Sequence, residues 1–246
     1  MSTRLLPLLA LAMLGPAPAS AQSTSGNPPV SAALSGGFDG AVVFRMVAES
    51  VAVIRTDAGT QGSAVALASI DGKGTAFATN CHVLTGAKNF TLTTKKGRAP
   101  GMLFAGLPEH DTCMVFAELS VPVPETFNAL DLQPGEKVFA IGAPRGLDFT
   151  ISEGIVSARR GDPIFDAPLL VQTTAAISPG SSGGGLFDSR GRLVGITSFR
   201  LKDAQNLNFA IAIQMYNIAM GRPTVRSLEE LPKPADSGAG KKSRRD

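Results

Sequence analysis

From residue 51 to residue 213 the apolar residues come in short runs, bounded by Gly, Pro, Asp or Asn. The runs lie at 51–55, 62–69, 75–79, 90–94, 113–119, 137–142, 151–158, 169–173, 193–199 and 207–213. Runs this short, rich in Val, Ile, Phe and Thr, predict the strands of an all-β sandwich or barrel. Helical periodicity does not alternate with them, which disfavours a doubly wound α/β fold. The stretch 121–135 (VPVPETFNALDLQPG) carries three prolines and breaks the series near its middle. It predicts a linker between two β units of similar size, over about 38–121 and 136–223. One helix is predicted near the end: Ile211, Met215 and Ile218 fall at i, i+4 and i+7 before Gly221-Arg222-Pro223 stops the pattern.

The two ends read differently. Arg4, the apolar stretch 5–14 and the small-residue pattern Ala19-Ser20-Ala21 predict a cleavable signal peptide over 1–21, with a mature start at Gln22. Pro7, Pro16 and Pro18 argue against a buried N-terminal helix. Residues 22–37 are small, polar and rich in turn formers, as in a flexible linker. Residues 224–246 end in KKSRRD and are expected to form a disordered basic tail. Export implies the periplasm of a Gram-negative cell, and secretion otherwise.

Composition narrows function by exclusion. Of 246 residues, 27 are Gly and 17 are Pro, too many breakers for a helical bundle or coiled coil. The net charge is only +3, and with no Trp and one Tyr the chain has little with which to stack bases. Nucleic acid is therefore not an expected partner. Beyond the export signal no apolar stretch reaches the ~20 residues of an integral membrane span.

The candidate chemistry is concentrated in three blocks. His82 and His110 are the only histidines, so any histidine chemistry uses one of them. His82 stands in TNCHVL after a predicted strand, and Asp111 leads another strand in EHDTCMV. A turn rich in Gly and Ser, SPGSSGGGL, occupies 178–186. Hydroxyl attack at neutral pH needs a base, a carboxylate that fixes that base's tautomer, and N–H donors where negative charge develops. A Gly just ahead of a Ser lets two backbone N–H groups, here those of Gly180 and Ser182, converge on one point. Alone, each block is weak, since most Gly/Ser turns are only loops. The order His, Asp, then Gly-x-Ser-Gly-Gly on a two-part β chain is far more specific.

At these residues the chain resembles trypsin-like serine proteases of the HtrA (Deg) type. The matching blocks are TNCHV at 79–83, DTCMVF at 111–116 and PGSSGG at 179–184, with further matches at 172–177, 191–196 and 208–211. The resemblance covers about 50–220. It implies a chymotrypsin-like double β-barrel with a short C-terminal helix, and a serine endopeptidase working through an acyl-enzyme. His82 is then the general base, Asp111 its orienting carboxylate and Ser182 the nucleophile, with the N–H groups of Gly180 and Ser182 as the oxyanion hole. Protein or peptide substrates are implied, and no cofactor or metal. The residues after Met220 are too few for the PDZ domain such proteases commonly append, so a monomer is favoured. Ser181 stands where Asn is frequent, and Gly185 where Pro is common. The alternative on the same fold is an inactive or latent module that holds extended peptides along a strand edge. An esterase of the nucleophile-elbow type is disfavoured, because its strand–elbow–helix context and Ser…Asp…His order are missing.

If His82 and Asp111 meet, Cys81 and Cys113 come close too, and an exported chain is expected to pair them in a disulfide. Two buried thiols are the plain alternative. A zinc site from Cys81, His82, His110 and Cys113 is disfavoured because strand neighbours face opposite sides. His110 itself is expected in an exposed turn. For the primary pocket the resemblance implies walls from Ala176 and Ile177 on one side and Thr197, Ser198, Phe199 and Phe209 on the others. These are small or apolar, with no acid to hold Lys or Arg, so cleavage after a small or medium apolar residue is expected. Arg200 and Lys202 near the rim are expected to bias outer subsites toward acids.

Overall fold

The structure is a computed structural model and describes residues 37–143, 149–161, 168–201 and 205–232. The expected export signal, nearly all of the 22–37 linker, Lys202 and the tail beyond residue 232 lie outside the described residues.

Two closed six-stranded antiparallel barrels make up the fold. The first comprises β1 (Val51–Thr56), β2 (Gln61–Ile70), β3 (Gly74–Thr79), β4 (Phe90–Thr94), β5 (Gly97–Leu107) and β6 (Thr112–Ala117). The second comprises β7 (Lys137–Gly142), β8 (Thr150–Arg160), β9 (Leu170–Thr173), β10 (Gly185–Asp188), β11 (Leu193–Arg200) and β12 (Asn208–Ala212). Neighbours run β1-β2-β3-β6-β5-β4 around the first and β7-β8-β9-β12-β11-β10 around the second, so one strand order is used twice. Closure suits short strands because it leaves no ladder edge unpaired.

Alternate residues of the first barrel serve two cores. Ala52, Ile54, Phe77, Cys113 and Val115 fill its interior. Their strand neighbours Val51, Ala78 and Met114 join Val138, Phe139, Leu186 and Phe187 of the second barrel in another apolar cluster. Strand β3 is therefore buried at every position, and its sequence reads as a continuous small and apolar run rather than an alternation.

The chain ends cross over. Helix α1 (Gly40–Val47), which the apolar pattern does not predict, is capped by Asp39, whose carboxylate accepts the Val42 N–H at 2.8 Å. Its Val43 and Val47 are buried in the cluster of the second barrel. The C-terminal helix, α3 (Gln214–Gly221), lies against β5 and β6 of the first barrel, and its Met215 and Tyr216 join the same apolar cluster as Val43 and Val47. The expected helical stripe is corrected: Ile211 belongs to β12, and Ile218 lies on the outer face. The strands of the two barrels span 51–117 and 137–212, and each terminal helix also packs on strands from the other half of the chain.

Residues 224–232, expected within the basic tail, are packed on the first barrel. Val225 bridges Gly106 of β5, with the Gly106 N–H donating to the Val225 carbonyl at 2.9 Å. Val225 and Leu231 are buried in the first core, enough apolar surface to hold residues 224–232 down. The 121–135 linker is also packed. Thr126 bridges Leu193, Ala129 and Leu132 are buried, and the Arg192 guanidinium lies 3.7 Å from the Phe127 ring centre while pairing with Asp188.

Candidate active site

Strands β3 and β6 pair with Thr79 opposite Cys113, so the residues just after β3 and those just before β6 share one rim. After β3 comes a one-turn helix, α2 (Cys81–Leu84), which carries His82. Before β6 stands Asp111, in the left-handed backbone region at φ 55°, a conformation that Asp tolerates better than most non-glycine residues. A disulfide joins Cys81 to Cys113. With both thiols used in that bond, the zinc alternative loses its thiolate ligands. His110 is half-buried rather than exposed.

The Asp111 carboxylate has several partners. Oδ2 lies 2.8 Å from His82 Nδ1, and Oδ1 accepts the His82 backbone N–H at 2.9 Å. The Ser198 hydroxyl donates to Oδ2 at 3.0 Å. A carboxylate only accepts, so a neutral His82 ring carries its proton on Nδ1 and leaves the Nε2 lone pair available. His82 is 49% exposed in its side chain, open to an incoming group.

Ser182 sits in the turn between β9 and β10. Its hydroxyl donates to the Ser198 carbonyl at 2.9 Å rather than to the His82 ring. Ser198 thus touches both: its side chain bonds Asp111 and its backbone bonds Ser182. Ahead of Ser182, the Ser181 N–H donates to Ser178 O at 2.9 Å, and Gly180 adopts φ 94°, which only glycine takes readily. Among the described residues the N–H groups of Gly180 and Ser182 have no acceptor, while those of Ser181, Gly183 and Gly184 are all bonded. Two free donors therefore flank the hydroxyl.

The first barrel holds this turn. The Ser63 N–H donates to Ser182 O at 2.7 Å, and the Ser63 hydroxyl donates to Gly180 O at 2.9 Å. The Ser63 carbonyl accepts the Thr79 hydroxyl at 2.8 Å, and the Tyr216 phenol donates to the Thr79 carbonyl at 3.1 Å. Burial pushes the Tyr216 phenol well above 10.0, and the Asp111 charge pushes it further the same way. Sequence reasoning missed Ser63: a serine in a strand of small residues carries no mark of its partners. It assigned Ser198 to the pocket wall, without the bond to Asp111.

A pocket of about 160 Å³ opens beside Ser182, lined in part by Ile177, Pro179, Ser198, Phe199 and Arg200. Phe209 stacks on Phe199 with ring centres 5.0 Å apart. Ala176 and Thr197 do not line this pocket. They face a separate cavity of about 130 Å³ with Ser181, behind the turn. Ser198 is the extra residue at an irregularity of the β11–β12 ladder between Thr197 and Phe199, and Thr197 donates its hydroxyl to the Ser181 carbonyl at 2.6 Å.

The family model for the trypsin-like peptidase domain matches residues 62–196. HhoB of Synechocystis sp. is 40% identical over 143 residues, covering 55% of this chain and 34% of HhoB. A DegP-like relative in Halomonas elongata, whose name assigns it to the periplasm, is 38% identical over 146 residues, covering 56% of this chain and 30% of its own length. Among solved structures, the HtrA-type protease AlgW with a tripeptide matches at TM-score 0.66 and 29% identity, over 74% of this chain and 62% of that one. The chain spans about a third of the length of these curated relatives.

Proposed function

The chain belongs to the trypsin-like peptidase family, and on that premise we propose that it is an exported, HtrA-type serine endopeptidase. The observation that carries the reading is the binding of His82 Nδ1 by Asp111, which leaves Nε2 as the acceptor on a reachable ring. An extended peptide pairs along β11, whose ladder with β10 ends at Ile196, so residues 198–200 have one open side. Ser182 Oγ rotates from the Ser198 carbonyl toward His82, gives its proton to Nε2 and attacks the scissile carbonyl carbon. The resulting oxyanion rests on the N–H groups of Gly180 and Ser182. His82 then passes the proton to the departing amine, and water cleaves the acyl-enzyme by the same route reversed.

Substrate choice follows from the pocket. Its volume and the Ile177, Pro179 and Phe199 walls fit a small or medium apolar side chain. Among the described residues no acid lines it, so Lys and Arg are poor fits there, and Arg200 at its edge favours acidic side chains nearby. The periplasmic name of the Halomonas relative supports export.

One observation favours a second reading. With the Ser182 hydroxyl bound to the Ser198 carbonyl, this conformation is at rest, which suits a latent module that grips peptides until activated. Labelling with a fluorophosphonate probe, mapped by mass spectrometry, separates the two. Modification of Ser182 that disappears in Ser182→Ala is expected for the peptidase, and an unlabelled protein that still binds peptides would establish the latent module.

A further inference from the structure

We propose that Ser63 is a positioning residue for the oxyanion hole, clamping from the first barrel the carbonyls that alternate with the two N–H donors. The proposal rests on the peptidase reading above. Ser63 is fully buried in β2, and all its polar atoms are engaged. Its N–H holds the carbonyl of Ser182, and its hydroxyl holds that of Gly180 while accepting the Ala143 N–H at 3.0 Å.

Peptide planarity turns these bonds into orientation. Fixing the Gly180 and Ser182 carbonyls fixes the planes on either side of the Ser181–Ser182 peptide. The carbonyl of that central peptide is itself held by the Thr197 hydroxyl. Its N–H, which is that of Ser182, must then point the opposite way, toward the reacting centre. Gly180 most needs the clamp, since a glycine can leave its φ of 94° at little cost. The Ser63 carbonyl accepts from Thr79, three residues before His82, so base and hole share one buried anchor. Every bond in this anchor is between neutral groups, so it holds whether or not His82 is protonated.

The test is Ser63→Ala in the full chain, assayed on a peptide cleaved by the wild type. The expected result is a fall in kcat of about 10- to 100-fold with KM within about twofold, since the loss falls on transition-state donors. Affinity for a peptide boronic acid, whose tetrahedral adduct places an oxygen in the hole, falls by the same factor. Affinity for the cleaved product peptide stays unchanged. A wild-type kcat, or product binding that weakens in parallel, overturns the proposal. Ser63→Cys keeps the shape with a weaker donor and is expected to lie between wild type and Ser63→Ala. It carries the same test if the alanine variant does not fold. A wild type that neither cleaves peptides nor takes the fluorophosphonate overturns the peptidase reading itself, whereas active variants with an active wild type overturn only the role of Ser63.

Discussion

Replacing Cys81 and Cys113 together by Ala separates what the disulfide does for the fold from what it does for the site. The bond spans a sequence separation of 32, and the chain-entropy account of such a loop gives about 4 kcal/mol of stabilisation. Both cysteines are buried, at 3% and 0% exposure, so loss of their sulfurs also removes packing from the first core. For a folded body of this size each 1 kcal/mol moves Tm by about 2–4 °C, so the double variant should melt about 8–15 °C below the wild type. His82 and Asp111 bond each other without either sulfur. At temperatures where the variant is folded, kcat should therefore stay within about threefold of the wild type. Circular-dichroism melts and peptide kinetics on the two proteins measure both quantities. A fall in Tm below about 3 °C would refute the entropy argument. A kcat loss of about 100-fold in the folded variant would refute the claim that hydrogen bonds alone suffice to hold the base.

Gly183→Ala places a Cβ at φ 87° against the Ser63 carbonyl oxygen; a stability loss of about 3 kcal/mol or more is expected in urea titrations. Ser198→Ala removes the hydroxyl from Asp111 while leaving the carbonyl that holds Ser182, and kcat should fall about tenfold with KM little changed. Tyr216 is the only tyrosine, and burial raises its pKa above 10.0. Below pH 10 the folded and unfolded chains both keep the proton. Above it only the unfolded chain releases one, so stability declines as pH rises through 10. Phenolate absorbance should accordingly appear only together with loss of the circular-dichroism signal, and its appearance in a folded protein would count against this placement. Truncation after Pro223 removes Val225 and Leu231 from the first core, and should cost about 3 kcal/mol or more in denaturant midpoints.

The candidate blocks were legible because each proposed chemical role admits few residue types, and scarcity did the rest: two histidines leave little choice for a base. The missed strands have a different cause. Gly101, Gly106 and Gly185 look like turn residues, yet they lie inside β5 and β10. A Cβ at Gly101 would strike the Phe90 ring, one at Gly106 would lie 2.9 Å from Cys113 Sγ, and one at Gly185 would strike the Phe187 ring. These glycines answer to neighbours far along the chain, which no local pattern contains. The same holds for α1, whose buried face meets the opposite barrel. It holds also for Val225, Leu228 and Leu231, three apolar residues in a polar stretch whose partners lie in the first core. Thr197 and Ser198 show a finer limit. Their adjacency is plain in sequence, but at the irregularity of the β11–β12 ladder one bonds the Ser181 carbonyl and the other Asp111, which no local pattern shows.

The crossed ends bear on how the molecule is assembled in time. A chain leaving the ribosome presents Val43 and Val47 long before Val138 and Phe139 exist, so the apolar face of α1 waits with nothing to cover it. The first barrel can close once β6 has emerged, yet its own end stays bare until Val225 and Leu231 arrive. Neither half is therefore a self-sufficient folding unit, despite the duplicated strand order. Separately expressed halves should remain open and prone to stick, and mixing them should restore a single cooperative body.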